Sequence, residues 1–279
     1  MPVLHHLLLS AQSQGLARLD AQMLLLHACG QDPLNRAWLL AHAQDAITAS
    51  QTSLAEQFFK RRINGEPVAY ITGFKEFYGL RLQIDRRVLD PRDDTETLID
   101  WALELLPANQ SALVLDLGTG SGAIALAIKS QRPHAKVTAT DASADALAVA
   151  SANAAQLGLP VQFIQADATH PNWFAALQNQ VFDLIVSNPP YIAEGDVHLA
   201  ALTHEPAMAL SSGNDGLDAI RSIIAHAAQH LAPSGWLLLE HGYDQADAVH
   251  SLLAQASFSH ICTRKDLSDQ PRCTRGQRS

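Results

Sequence analysis

The feature that most narrows the possible folds is the run from Leu113 to Ser130. Leu113-Val114-Leu115-Asp116-Leu117 is an apolar, β-branched stretch of strand length. It runs straight into Gly118-Thr119-Gly120-Ser121-Gly122, a tight turn, and then into a helix from Ala123 to Ser130. The unit then repeats. Strands are expected at Lys136–Thr140, Val161–Gln165, Val181–Ser187 and Trp236–Glu240. Helices are expected at Ala144–Leu157, Leu217–Leu231 and Asp244–Ala256. Phe258–Thr263 and the segment around Cys273 read as a terminal hairpin. Strands that alternate with helices, and are apolar without interruption, belong to a mainly parallel sheet covered on both faces. The predicted fold class is α/β.

The fourth strand carries the most specific chemistry. Phe182-Asp183-Leu184-Ile185-Val186-Ser187 ends in Asn188-Pro189-Pro190-Tyr191. The prolines have no N–H and stop the ladder. Pro189 also biases Asn188 towards an extended conformation. A polar amide, a stiff diproline and an aromatic ring therefore stand at the carboxyl end of a buried strand, the edge where α/β sheets bind ligands. The Asn188 side-chain oxygen and the Pro189 carbonyl are two acceptors for one –NH2 group, and the Tyr191 ring can lie flat on a planar group. The matching ligand is an amino group conjugated into a π-system: an amide, adenine or cytosine. Asn-Pro-Pro also serves simply as a turn that closes a strand.

The glycine turn is the other half. Glycines at 118, 120 and 122 allow close approach of backbone to ligand. Asp141 closes the next strand some 20 residues on, where a carboxylate accepts from a ribose diol. The dinucleotide pattern Gly-x-Gly-x-x-Gly would place glycine where this chain has Ala123. Asp116 and the Asn-Pro-Pro-Tyr strand end favour S-adenosylmethionine over a dinucleotide, because its cationic sulfonium and amino acid head suit a mildly acidic pocket free of phosphate. Asp167, at the end of the third strand, is placed for the adenine amino group. Trp173 either covers the pocket or packs beneath it.

Upstream, residues 1–72 read as a small helical bundle, with Leu16, Leu19, Met23, Leu24 and Leu26 at helical spacing. Residues 73–90 alternate with period two around Gly79 and read as a β-hairpin linker. Residues 91–279 form the α/β domain, opening with a helix from Glu96 to Leu106 capped by Asp94 or Thr95.

Composition bounds the partners. The chain has 279 residues, of which 47% are hydrophobic, enough to bury a large core. A net charge of -9 weighs against a broad duplex-DNA surface. Cys29, Cys262 and Cys273 are far apart, so a reducing cytoplasm is the simplest setting. No apolar run is long enough to span a bilayer. His226 and His230 stand one helical turn apart without a third ligand, so no metal site is expected.

The order and wording of these segments resemble the HemK/PrmC family, the N5-glutamine methyltransferases of peptide chain release factors. The likeness covers nearly the whole chain. It includes Ala17-Arg18-Leu19-Asp20-Ala21, Gly65-Glu66-Pro67-Val68-Ala69-Tyr70, Glu76-Phe77-Tyr78-Gly79-Leu80, the 116–122 turn, Asn188-Pro189-Pro190-Tyr191, Glu205-Pro206 and Asp215-Gly216-Leu217. It implies a helical release-factor-recognition domain at 1–72, a β-hairpin linker at 73–90 and a Rossmann-like α/β methyltransferase domain at 91–279. It implies S-adenosylmethionine at Gly118, Thr119, Gly120, Ser121, Gly122, Asp141, Trp173 and Asn188, with Asp167 added from its position. The glutamine of a Gly-Gly-Gln motif in a class-1 release factor would then lie against Asn188, Pro189, Pro190 and Tyr191. A cytoplasmic monomer without sequence-specific nucleic-acid or membrane binding is expected. The family pattern at 90–96 is an apolar residue followed by Pro-Arg-Pro-Glu-Thr-Glu; this chain has Asp90-Pro91-Arg92-Asp93-Asp94-Thr95-Glu96. The competing readings are an amino-methyltransferase for adenine or cytosine and a non-catalytic cofactor-binding scaffold.

Overall fold

A computed structural model describes residues 3–166 and 172–279. The chain forms two compact units, one of residues 1–74 with 201–204 and one of residues 75–200 with 205–279.

The first unit holds helices α1 (Leu4–Ser13), α2 (Arg18–Ala28), α3 (Arg36–Ala41), α4 (Ala49–Ile63) and α5 (Val68–Thr72). In α2 the buried positions Ala21, Leu24, Leu25 and Ala28 follow helical spacing and meet Leu4, Leu7, Leu39 and Phe59 in one cluster. Each fully buried leucine here is worth about 1.5–3 kcal/mol relative to exposure. Leu19, in the first turn of α2, departs from the expected stripe and is 51% exposed. A capping box joins Thr48 and Gln51 at the start of α4. The Gly65-Glu66-Pro67 stretch has a local cause: buried Glu66 takes Arg61 Nε and Nη2 at 2.7 Å each, a bidentate pair. Gly65, with φ +92, makes the preceding turn.

A two-stranded hairpin follows, β1 (Phe74–Phe77) and β2 (Leu80–Gln83). Tyr78 and Gly79 both have positive φ, the conformation a two-residue hairpin turn demands. Two strands alone are marginal, and this pair is pinned from outside. Tyr78 N donates to Glu96 Oε1 at 3.1 Å and Tyr78 Oη to Asp100 Oδ1 at 2.6 Å. Fully buried Asn153 accepts from Gln83 N at 2.6 Å and donates to the carbonyls of Gln83 and Ser121.

The rest of the second unit is a seven-stranded sheet. Its strands are β3 (Leu113–Leu117), β4 (Lys136–Asp141), β5 (Gln162–Gln165), β6 (Phe182–Ser187), β7 (Leu231–Glu240), β8 (Phe258–Lys265) and β9 (Pro271–Arg278), in the spatial order β5-β4-β3-β6-β7-β9-β8. The first five in that order are parallel, and β9 runs antiparallel to both β7 and β8. Helices α6 (Glu96–Leu105), α7 (Ala123–Gln131), α8 (Ala144–Leu157), α9 (Asp218–Ala227) and α10 (Ala246–Gln255) cover it. In α9, Ile220, Ile223, Ile224 and Ala227 form the buried stripe, packed with Leu115, Leu117, Ile185, Leu237 and Leu239 of the sheet. The alternate residues Val114, Leu184, Val186 and Leu238 are buried too, so both faces are covered.

The largest departures from the expected boundaries lie between α9 and β7. Helix α9 stops at Ala227, and β7 begins at Leu231, ahead of Trp236. Pro233, Ser234 at φ +62 and Gly235 read as a loop, but an irregularity in the pairing with β6 carries the strand through them. At α6 the cap position is Thr95, yet its side chain caps nothing; a short 3₁₀ turn, Asp93–Thr95, leads into the helix instead.

Candidate active site

The strand order reverses at β3: β4 and β5 lie on one side of it and β6 on the other. Ligands of doubly wound sheets bind outside the carboxyl ends of the strands at such a switch point. Leu117, last in β3, pairs with Ser187, last in β6. Ser187 Oγ donates to the Leu117 carbonyl at 2.7 Å. The glycine turn and Asn188-Pro189-Pro190-Tyr191 therefore leave the sheet side by side.

A cleft of about 510 Å³ opens there, lined by Gly118, Gly120, Asp141, Trp173, Asn188 and Pro190 among the expected residues. Gly118 and Thr119 N–H groups both donate to Thr140 O at 2.9 Å, which hooks the turn over β4. Asp141 Oδ2 accepts from Gly120 N at 2.9 Å and Oδ1 from Ser143 N at 2.8 Å. Burial pushes the Asp141 carboxyl up, while these N–H donors favour the anion. Ala142 N–H also favours the anion, and the four lone pairs of the carboxylate leave room for a ligand donor. Gly118, at φ +73, lies under the Trp173 ring; a Cβ there would meet Trp173 Cζ3 at 3.2 Å.

Thr119, Ser121 and Gly122 face inward. Buried Thr119 donates from Oγ1 to Asp116 Oδ2 at 2.6 Å. Ser121 is buried and offers its carbonyl to Asn153. A Cβ on Gly122 would meet Leu126 and Ala150, so this glycine serves helix packing. Beneath the turn, Asp116 is fully buried and one of its oxygens, Oδ1, has no partner among the described residues; burial raises its carboxyl to about 7. Asp167 lies outside the described residues.

On the β6 side, Asn188 Nδ2 donates to Thr95 Oγ1 at 3.2 Å. Among the described residues no donor occupies Asn188 Oδ1. Pro189 is buried. Tyr191 Oη donates to Glu240 Oε1 at 3.3 Å, and the Tyr191 carbonyl accepts from Gln245 Nε2 at 2.9 Å. Burial, then the charge of Glu240, drives the Tyr191 hydroxyl well above its usual range, so it stays protonated. Gly216 accounts for Asp215-Gly216-Leu217: a Cβ there would overlap the Tyr191 carbonyl.

The remaining lining was less visible in the sequence. Arg86, Arg87, Val88 and Leu89 follow the hairpin, and Pro206 and Met208 come from the loop after β6. Glu205, just before that loop segment, binds Arg92 Nη2 at 2.5 Å and Asp90 N at 3.4 Å. Asp93 and Asp94, where the family pattern has proline and glutamate, reach Lys75 and Arg272, at 3.3 Å each. Asp90 is buried, and burial raises its carboxyl.

A switch-point cleft with a glycine turn after one strand and Asn188-Pro189-Pro190-Tyr191 after the next belongs to a Rossmann-like methyltransferase. The comparisons agree in class and narrow it. The methyltransferase small domain family matches residues 95–259, and the PrmC N-terminal domain family matches residues 6–73. The release factor glutamine methyltransferase of Xylella fastidiosa is 46% identical over 97% of this chain and 96% of its own length. That of Pseudomonas aeruginosa is 44% identical over 94% of this chain and 92% of its own. A methyltransferase structure from Pyrococcus furiosus shares the fold at TM-score 0.54 and 16% identity, over 72% of this chain and 90% of that one. The chain belongs to the PrmC family of release factor glutamine methyltransferases.

Proposed function

We propose that this chain transfers a methyl group from S-adenosylmethionine to the side-chain amide nitrogen of the glutamine in the Gly-Gly-Gln motif of class-1 peptide chain release factors. The observation that carries the reading is the orientation of Asn188. Its –NH2 is engaged by Thr95, so the group left facing the cleft is the oxygen. An acceptor there suits an incoming –NH2 and repels a carbonyl, and the reading assigns the Pro189 carbonyl as its partner acceptor.

The turn fits the cofactor. Gly118 and Gly120 leave backbone bare at the cleft wall, Asp141 keeps lone pairs for a ribose diol, and Trp173 lies over Gly118. When bound there, S-adenosylmethionine supplies an electrophilic methyl group on a sulfonium centre. The protein's part is to bind and orient. Asn188 and Pro189 draw the two amide hydrogens out of conjugation, which frees the nitrogen lone pair. Tyr191 holds the amide plane. This is positioning and electrostatic preorganisation and asks for no strong base: once methylated the nitrogen gives up one proton to solvent or a nearby acceptor.

The same reading assigns residues 1–72 to release-factor recognition, 73–90 to the linker and 91–279 to chemistry, in the cytoplasm. The relatives named above are methyltransferases of release factors, which favours a protein amide over adenine or cytosine. The test is mass spectrometry of a release factor incubated with this protein and labelled S-adenosylmethionine. A methyl group on the Gly-Gly-Gln glutamine is expected. Label appearing only on nucleic acid, or nowhere, overturns the reading.

A further inference from the structure

The mechanism above gives no part to Arg272, the second residue of β9, yet three segments of the second unit meet on its guanidinium. Its side chain is 13% exposed. Nε donates to Asp266 Oδ2 at 3.1 Å, in the connection between β8 and β9. Nη1 donates to the His241 carbonyl at 3.5 Å, one residue past the end of β7. Nη2 pairs with Asp94 Oδ2 at 3.3 Å, in the 3₁₀ turn before α6. The backbone is fixed too, since the Arg272 carbonyl accepts from His241 N at 3.0 Å. Asp266 is itself held: its Oδ1 accepts from Ser268 N and Gln270 N at 2.8 and 3.0 Å.

Two of these segments carry the partners of the substrate-side residues. Asp94 is followed by Thr95, whose Oγ1 accepts from Asn188 Nδ2. His241 is preceded by Glu240, whose Oε1 accepts from Tyr191 Oη. Asn188 and Tyr191 are thus held from two places far apart in the chain, and Arg272 touches both. The 3₁₀ turn is three residues long, and the Thr95 side chain does not cap α6, so the turn needs a tether from outside. A planar guanidinium sends its N–H groups in fixed directions and can hold two segments at one spacing. An ammonium is a single point of charge and cannot.

We propose that Arg272 is a positioning residue: by joining Asp94 to the end of β7, it sets the placement of the Asn188 amide relative to the Tyr191 ring. The proposal rests on the glutamine-methylation reading for its rate measurement, but the geometry it asserts belongs to the protein without substrate.

The Asn188 side-chain –NH2 and Tyr191 ring resonances of the full chain, without substrate, read that geometry. Arg272→Lys keeps a cation beside buried Asp266 and loses the fork; it should move both signals. Asp94→Ala cuts only the arm towards Thr95; it should move Asn188 and leave Tyr191 in place. Asp94→Asn still accepts from Nη2 and should leave both near their wild-type positions. Asp93→Ala removes a charge from the same turn, but one paired with Lys75, and should move neither. In methyl transfer to a release factor, Arg272→Lys and Asp94→Ala should each lower kcat by about threefold to thirtyfold, less than the ~10²–10³ of a directly lost polar contact. Affinity for S-adenosylmethionine should hold within about twofold. Residues acting through one another couple, so Asp94→Ala should cost less in the Arg272→Lys background than in the wild type. The Asp94 side chain is 44% exposed, and its variants carry the test if Arg272→Lys does not fold. An Asn188 signal that Asp94→Ala leaves unmoved, or that Asp93→Ala moves as far, overturns the proposal. So does an Arg272→Lys protein that melts earlier but keeps wild-type kcat and both signals, the mark of a purely structural tie. A wild-type protein that methylates no release factor would sink the functional reading alone, with the two resonances still deciding this one.

Discussion

Gly118 and Asn188 are the first residues beyond a paired register: Leu117 of β3 stands opposite Ser187 of β6, so the two leave adjacent strands at one level of the sheet. The glycine turn and the Asn188-Pro189-Pro190-Tyr191 segment, to which the proposed function assigns cofactor and substrate, are thereby placed by sheet geometry and not by loop flexibility. Both residues line the same cavity.

Replacing Asn188 by alanine should therefore separate the two halves. The Oδ1 acceptor disappears while the glycine turn is untouched. Turnover on a release factor is expected to fall by about 10²–10³, with cofactor affinity changed by less than about threefold. Steady-state rates and a binding titration read the two effects separately. A variant with full turnover would remove Asn188 from the reaction.

Gly118 makes the complementary case. Its φ of +73 disfavours any side chain, and a Cβ would press on the Trp173 ring at 3.2 Å. Gly118→Ala should cost about 1–2 kcal/mol of local strain, seen as roughly tenfold weaker cofactor binding. Tryptophan fluorescence should change as well, because Trp173 has to shift. Gly122→Ala should instead lower thermal stability, since its neighbours are Leu126 and Ala150 rather than the cleft.

That contrast shows where sequence reading runs out. The apolar runs, the glycine turn and Asn188-Pro189-Pro190-Tyr191 were legible because each is local: a strand needs its own residues, and a turn its own glycines. Which of three similar glycines faces the cleft depends on residues that pack against it from elsewhere. Thr95 is the sharper example. Ahead of Glu96 it reads as a helix cap, but its hydroxyl is engaged by Asn188, 93 positions away in the chain. Leu19 fits a helical stripe by spacing and is still half exposed, while Leu26 on the same face is fully buried: what covers each position is supplied by other helices and not by α2 itself. Asp93 and Asp94 look like damage to a pattern, but they find Lys75 and Arg272, which no local rule would supply.

The Arg92–Glu205 pair ties the segment before α6 to the loop after β6. The Glu205 side chain is only 2% exposed, while Arg92 retains 38%. Arg92→Leu would leave a buried carboxylate without its cation. A loss of about 3 kcal/mol is expected, at the low end for a broken buried pair because one partner is still hydrated. Arg92→Leu with Glu205→Leu should recover most of it. Denaturant midpoints of the single and double variants decide; equal losses in both would show that the ion pair is not the cause.

Asp116 and Glu240 give the protein an acid-side signature in its stability. Burial raises both carboxyls to about 7, from 3.8 and 4.5. Between those lower values and 7 the folded protein holds protons that the unfolded chain has released. The unfolded state then binds fewer protons, so stability falls as pH rises through this window. Each group contributes at most about 1.4 kcal/mol per pH unit, and the fall ends above pH 7, where both states are ionised. Asp116→Asn keeps an oxygen for the Thr119 hydroxyl and the Ala125 N–H, both of which Asp116 Oδ2 now accepts. It removes the titration without removing those contacts. The variant should lose about half of the slope between pH 5 and 7 and should match or exceed the wild type in stability at pH 7. Urea unfolding at several pH values measures both quantities. An unchanged slope would mean that Asp116 is already ionised in the folded protein at pH 5, its burial outweighed by the two donors on Oδ2.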